Sequence, residues 1–236
     1  MRRSIWTLLL CAGFAHADQY RPRDFKFRAP VEGNPFDVDL ALNRNLDFRV
    51  DQQHSDWAQM VAFDRVFRRR PVVTVEFSYE LGVEALPTHT NRNQVGWEEM
   101  LRRAYWIYLA GGYAAYYYNN TAWDIVKPDP EAPGMARWQT LKQVFESVPY
   151  WRMAPANHLA VGGPCLAEAG RTYLCYAEGP NLTLNLGAET AGEWVNTWTG
   201  EREPAGRIPA GVARVTKPKR FDKAPALLVV RGDAKP

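Results

Sequence analysis

Pro71-Val72-Val73-Thr74-Val75-Glu76-Phe77-Ser78-Tyr79-Glu80 is the stretch whose reading decides the fold. Val72, Val73, Val75 and Phe77 are β-branched or aromatic and make a run too short for a helix. Such a run reads as a strand buried on both faces, as in parallel α/β sheets. Glu76 falls where the apolar run ends, and Glu80 follows four residues later. Barrel enzymes place catalytic carboxylates at the C-terminal ends of strands of this kind. The alternative is a strand-end carboxylate held by water or by an ion pair.

Strand and helix signals alternate on both sides of this run. Leu46 to Val50 reads as a strand ending in Asp51-Gln52-Gln53-His54. Trp57, Met60, Val61, Asp64 and Phe67 follow helical spacing, with Ser55 or Asp56 as N-cap and Arg68-Arg69-Arg70 complementing the dipole at the far end. After a polar loop from Leu81 to Gln94, Trp97 to Leu109 is helical by its apolar spacing and stops at Gly111-Gly112. Tyr113 to Tyr118 reads as a third strand and Met135 to Val148 as a further helix. The order strand-helix, three times over, has crossovers long enough for parallel pairing. Further upstream, Phe25-Lys26-Phe27 and Val38-Asp39-Leu40 alternate like short strands.

From Leu159 the texture changes to short strands separated by Gly and Pro: Arg171–Ala177, Asn181–Leu186, Glu193–Thr197, Gly211–Thr216 and Ala226–Val230. Turns at this spacing point to a small β-sandwich. If Ala169-Gly170-Arg171 forms a hairpin loop, Cys165 lies opposite Cys175 and a disulfide can close; two buried thiols are the other reading. The expected fold class is α/β plus all-β: an incomplete (β/α) barrel of about three βα units, with a small C-terminal β-sandwich after it. The expected divisions are a signal peptide at 1–17, a β segment at 18–45, the partial barrel at 46–150 and the sandwich at 151–236.

The signal peptide is read from Arg2 and Arg3, the apolar stretch Ile5 to Phe14 and the small-x-small site Ala15-His16-Ala17. No later segment approaches the roughly 20 apolar residues that a spanning helix needs. A secreted or periplasmic location follows, and an oxidising compartment favours a disulfide. Of the three cysteines, Cys11 leaves with the leader. Loss of Arg2 and Arg3 takes the net charge from +3 to +1, and Lys217-Pro218-Lys219-Arg220 is too short a basic run for nucleic acid. Nine Trp, eleven Tyr and ten Phe suit sugar-stacking surfaces and large cores alike.

Several stretches, in this order, resemble the C-terminal half of the secreted glycoside hydrolases known as apiosidase-like barrels. Pro71-Val72-Val73-Thr74-Val75-Glu76 with Tyr79-Glu80 is similar to the family's seventh strand. Arg103-Ala104-Tyr105-Trp106 with Leu109-Ala110-Gly111-Gly112 resembles its next helix, and Tyr117 and Trp123 fall on the eighth strand and its loop. Pro149-Tyr150-Trp151-Arg152-Met153-Ala154-Pro155, Trp198-Thr199-Gly200 and Ala226-Leu227-Leu228-Val229-Val230 resemble the linker and the small β-sandwich that the family names for collagen binding. The family's two strand-eight glycines are replaced by Ala114 and Tyr118. Only about 130 residues precede the sandwich, against about 250 for a whole barrel.

The resemblance implies hydrolysis of O-glycosidic bonds in polysaccharides, with Glu76 as the nucleophile. The reaction needs a second carboxyl group; Asp51 is the stand-in on the preceding strand, and Glu80 is a partner or a supporting group. Gln53, His54, Tyr79, Tyr117 and Trp123 are candidates to hydrogen-bond or stack on sugar. A non-catalytic glycan- or matrix-binding protein, using Trp194 and Trp198, is the alternative, as is an inactive remnant. No Cys/His cluster with metal spacing, phosphate loop or Gly-x-Ser-x-Gly elbow occurs, so no metal or other cofactor is expected. Unpaired sheet edges would favour homo-oligomers.

Overall fold

A computed structural model of the protein describes residues 38–52, 54–81, 94–118 and 134–232. The leader at 1–17, the segment around Phe25-Lys26-Phe27, Gln53 and Trp123 lie outside the described residues. The protein is mixed α/β with several sheets.

The first part holds α1 (Val38–Leu42), β1 (Arg49–Gln52), α2 (Trp57–Phe67), β2 (Val72–Glu76), β3 (Tyr79–Glu80), β4 (Gln94–Val95), α3 (Trp97–Leu109), β5 (Tyr113–Ala114) and α4 (Gly134–Glu146). Three of these strands form a parallel sheet in the order β1-β2-β5, with the decisive run at its centre. β3 and β4 pair separately, also in parallel. Gly111, at φ 87°, ends α3 as expected, and the Gly112 amide donates back to the Ile107 carbonyl at 3.0 Å. Asp56 caps α2 by backbone position alone, with no side-chain hydrogen bond.

Two local expectations are corrected. Val38-Asp39-Leu40 is not a strand but the start of α1. Three alternating residues are too few to set a period, and here distant cations decide the outcome. Arg70 donates to the Leu40 carbonyl at 2.7 Å and Arg68 to the Asn43 carbonyl at 2.8 Å, satisfying acceptors at the helix's C-terminal end. The strand expected over 113–118 is regular only at Tyr113–Ala114; Tyr118 returns as an isolated bridge to Glu80.

The second part is antiparallel. It contains β6 (Ala154–Pro155), β7 (Ala160–Val161), β8 (Cys165–Glu168), β9 (Thr172–Ala177), β10 (Asn181–Leu186), β11 (Thr190–Asn196), β12 (Arg202–Ile208), β13 (Gly211–Thr216) and β14 (Ala226–Arg231). Six of the strands make one sheet in the order β12-β11-β14-β9-β8-β6, and three make another, β13-β10-β7. The two share a core in which Trp194, Leu228 and Val230 from the larger sheet meet Leu182, Leu184 and Val215 from the smaller.

The larger sheet is covered on its other face as well. Leu166, Leu174, Tyr176, Val195, Leu227 and Val229 belong to one apolar cluster with Met100, Ala104 and Tyr105 of α3 and Leu141, Val144 and Phe145 of α4. The Tyr105 and Tyr176 rings stack at 5.4 Å across this boundary. Alternate residues of β9 and β14 thus serve two cores, which accounts for their unbroken apolar sequences. Trp194, expected to be exposed, is 1% exposed inside the inter-sheet core. Trp198 is half-buried, edge-on to Trp97 at 4.9 Å. Lys217, from the short basic run, is buried and donates to the Ala224 carbonyl at 2.8 Å.

Cys165 and Cys175 stand directly opposite each other on β8 and β9 and form the disulfide. Closing so short a loop limits the unfolded chain by about 3 kcal/mol. Replacing both cysteines by Ala is expected to cost about that much stability, read as a lowered urea midpoint at an unchanged slope. An unchanged midpoint would show that the strand ladder alone holds the hairpin. Among the described residues, no helix is long and apolar enough to cross a membrane.

Candidate active site

Glu76 is the last residue of β2, at the C-terminal edge of the parallel sheet. Pairing with β1 runs in step from Arg49–Val72 to Asp51–Thr74 and then slips, so that Gln52 faces Glu76. This bulge re-aims the Gln52 side chain, a common use of bulges near functional sites. Its Nε2 donates to Glu76 Oε2 at 2.8 Å, and His54 Nε2 lies 3.4 Å from Oε1. Both carboxylate oxygens therefore have a polar neighbour, and the side chain stays 12% exposed. The group is oriented yet open to solvent.

Asp51 sits elsewhere. It is 2% exposed, with its carboxylate 2.5 Å from Arg49 Nε. Arg49 also reaches Asp64, which in turn holds Arg70. β1 buries Arg49 and Asp51 on one side and turns Gln52 to the other, so a strand-end acid became part of a buried charge network.

Glu80 forms a second polar centre. It is 2% exposed, hydrogen-bonded to the Tyr116 hydroxyl and 3.9 Å from Arg137. The Gly134 amide donates to the same hydroxyl at 3.2 Å. A Cβ on Gly134 would collide with Glu80 and Tyr116, so glycine is what lets α4 begin against this pair. Arg137 also lies 4.0 Å over the Trp97 ring.

Burial pushes the Glu80 carboxyl above its usual range, while Arg137 and the Tyr116 hydrogen bond pull it back. A raised value in the folded state means that stability is fully present below the unfolded value of 4.5 and is lost as pH rises through the folded one. Glu80→Gln cannot ionise, so it is expected to gain on the wild type as pH climbs above 4.5. Urea unfolding across a pH series checks this; a constant difference would remove burial as the controlling cause.

The other candidates divide. His54, read as a candidate for hydrogen-bonding sugar, lies beside Glu76. Tyr79 is buried, its ring 5.4 Å from that of Tyr117, which is half-buried beside it. Tyr118, in place of the family's glycine, is buried where it bridges to Glu80. Gln52, Tyr116 and Arg137 were not anticipated. Gln52 depended on the register slip, and Tyr116 and Arg137 on a meeting between segments far apart in sequence. Glu76 and His54 are of metal-ligating types, but among the described residues no third such side chain joins them.

No protein-family model and no curated protein matches the chain. Solved structures do share its fold. One described as a glycoside hydrolase superposes with a TM-score of 0.64 at 18% identity, covering 81% of this chain and 54% of that one. A glycoside hydrolase family 5 structure from Bacteroides vulgatus ATCC 8482 gives a TM-score of 0.64 at 19% identity, covering 80% of this chain and 51% of that one. The chain therefore shares a glycoside-hydrolase-like fold with these two structures over about four-fifths of its length, and it spans about half of theirs.

Proposed function

We propose that this chain is an exported, glycoside-hydrolase-like protein acting on O-glycosidic bonds of polysaccharides, with Glu76 as the nucleophile. The observation that carries the reading is the position of Glu76. It ends the middle strand of the parallel sheet, with Gln52 and His54 on its two oxygens, in a fold shared with glycoside hydrolases. On this reading residues 46–150 stand for the last units of a (β/α) barrel, and 151–236 for an appended β-sandwich.

In the reaction, the Glu76 carboxylate attacks the anomeric carbon while a second carboxyl group protonates the leaving oxygen. The Gln52 amide holds one oxygen of the nucleophile and the His54 ring lies beside the other. Glu80, enclosed by Tyr116 and Arg137, acts as a positioning residue that fixes the chain just beyond Glu76.

One observation favours a second reading, an inactive remnant or a non-catalytic glycan binder. The described side chains against Glu76 are an amide and an imidazole, while Asp51 and Glu80 are committed to other partners. Release of reducing sugar from a panel of plant and microbial polysaccharides, by the wild type beside Glu76→Gln, separates the two. Turnover lost in the variant supports the enzyme; no turnover by either supports the remnant.

A further inference from the structure

Arg65, Arg69 and Arg70 lie together with Tyr113, Tyr150 and Trp151 around a cavity of about 240 Å³. Its position is fixed by Pro71, just before β2, and Gly111, just before β5: it opens at the N-terminal end of the parallel strands. Roughly 16 Å of β2 separates it from Glu76, at about 3.3 Å per residue.

The three guanidinium groups differ in what they meet. Arg70 is neutralised by Asp64, donating to it at 2.9 Å and 3.1 Å. Arg65 donates instead to the backbone carbonyls of Gly111 at 3.1 Å and Met153 at 3.3 Å, and Arg69 to that of Trp151 at 3.1 Å. Among the described residues, neither Arg65 nor Arg69 pairs with a carboxylate. Two cations with no ion-pair partner among the described residues therefore stand in one wall. Burial, foremost, holds the Arg65 guanidinium below the usual arginine range, and the neighbouring Arg69 adds to this. A bound anion would offset both effects with opposite charge.

The rim supplies an apolar face. Trp151 is 70% exposed, the one aromatic among the large exposed apolar side chains of the described residues. Its own carbonyl accepts from Arg69, so the residue that carries the flat ring adjoins the cation. A carboxylate is matched by the guanidinium fork, and a sugar ring by an exposed indole. The volume, below the roughly 300–1,000 Å³ of drug-sized pockets, suits a single ring.

We infer that this cavity is a second, non-catalytic binding site for the uronic acid units of an acidic polysaccharide, with Arg65 and Arg69 on the carboxylate and Trp151 against the ring. It anchors an anionic chain at the end of the sheet opposite Glu76. The inference does not depend on Glu76 being catalytic.

Calorimetric titration of the full chain with an oligogalacturonate, a cello-oligosaccharide of equal length and inorganic phosphate tests the site. The acidic oligomer is expected to bind, to weaken as salt is raised, and to lose at least about tenfold in affinity in Arg69→Ala and in Trp151→Ala. Both side chains are at the surface, and circular dichroism of the variants verifies their folding. Glu76→Gln is expected to bind like the wild type, which keeps this test separate from the catalytic one. Three outcomes would overturn the assignment: equal binding of the neutral oligomer, no loss in either variant, or phosphate displacing the oligomer as well as a second portion of oligomer does.

Discussion

Glu76→Gln is expected to lower any polysaccharide hydrolysis by this protein at least about a thousandfold, because a lost nucleophile is not replaced by neighbouring groups. The change is nearly isosteric, and Gln52 can still donate to the amide oxygen of the new side chain, so the fold should be untouched. KM is the informative control. If Glu76 acts on the reacting carbon alone, kcat falls and KM stays near its wild-type value. A modest fall in kcat with a large rise in KM would instead make Glu76 a sugar-binding group. Should activity vanish as predicted, the proton donor must come from Asp51, Glu80 or a carboxyl group outside the described residues. Asp51→Asn would then narrow the choice, since Asp51 can serve only by leaving Arg49.

Asp64→Ala is expected to cost about 3–5 kcal/mol of stability, the largest effect of any single substitution considered for the fold. Asp64 is fully buried and accepts from Arg49 at 3.2 Å and from Arg70 at 2.9 Å and 3.1 Å. Its loss leaves Arg49 with Asp51 but strands the buried Arg70 guanidinium, which retains only backbone carbonyls. Against a typical total of about 5–15 kcal/mol, such a loss is severe. Urea unfolding measures it directly. A cost below about 1 kcal/mol would mean that water reaches both arginines once the carboxylate is gone. Changing Arg70 to Met in the same background should recover part of the loss, because the stranded charge disappears with it.

Much of the local structure was legible because single segments carried their own signals. The apolar spacing of Trp97 to Leu109 and the Gly-Gly stop gave that helix its observed bounds. Asn181–Leu186 alternates cleanly, and it and Gly211–Thr216 were found where expected. β12 was missed because Arg202 to Ile208 contains Pro204, Gly206 and three charges. It is an edge strand, where proline and charge are tolerated and protect against unwanted pairing. The burial of Trp194 was equally hidden, since its side of β11 is decided by a partner sheet far along the chain. At the site, Glu76 and His54 were visible from strand position and loop proximity. Gln52 was not, because a one-residue register slip is a property of two strands together and neither sequence shows it alone.

The order of the large sheet, with β14 between β11 and β9, bears on how the protein is made. The strand that joins the two halves of that sheet is the last of the six to leave the ribosome. Until it arrives, β9 and β11 have no common neighbour, and the apolar faces meant for α3, α4 and the smaller sheet stay open. The large sheet can therefore close only after its last strand has been made. During that interval the emerging chain needs shielding from its own kind, and a slower-translated or truncated message would lengthen its exposure.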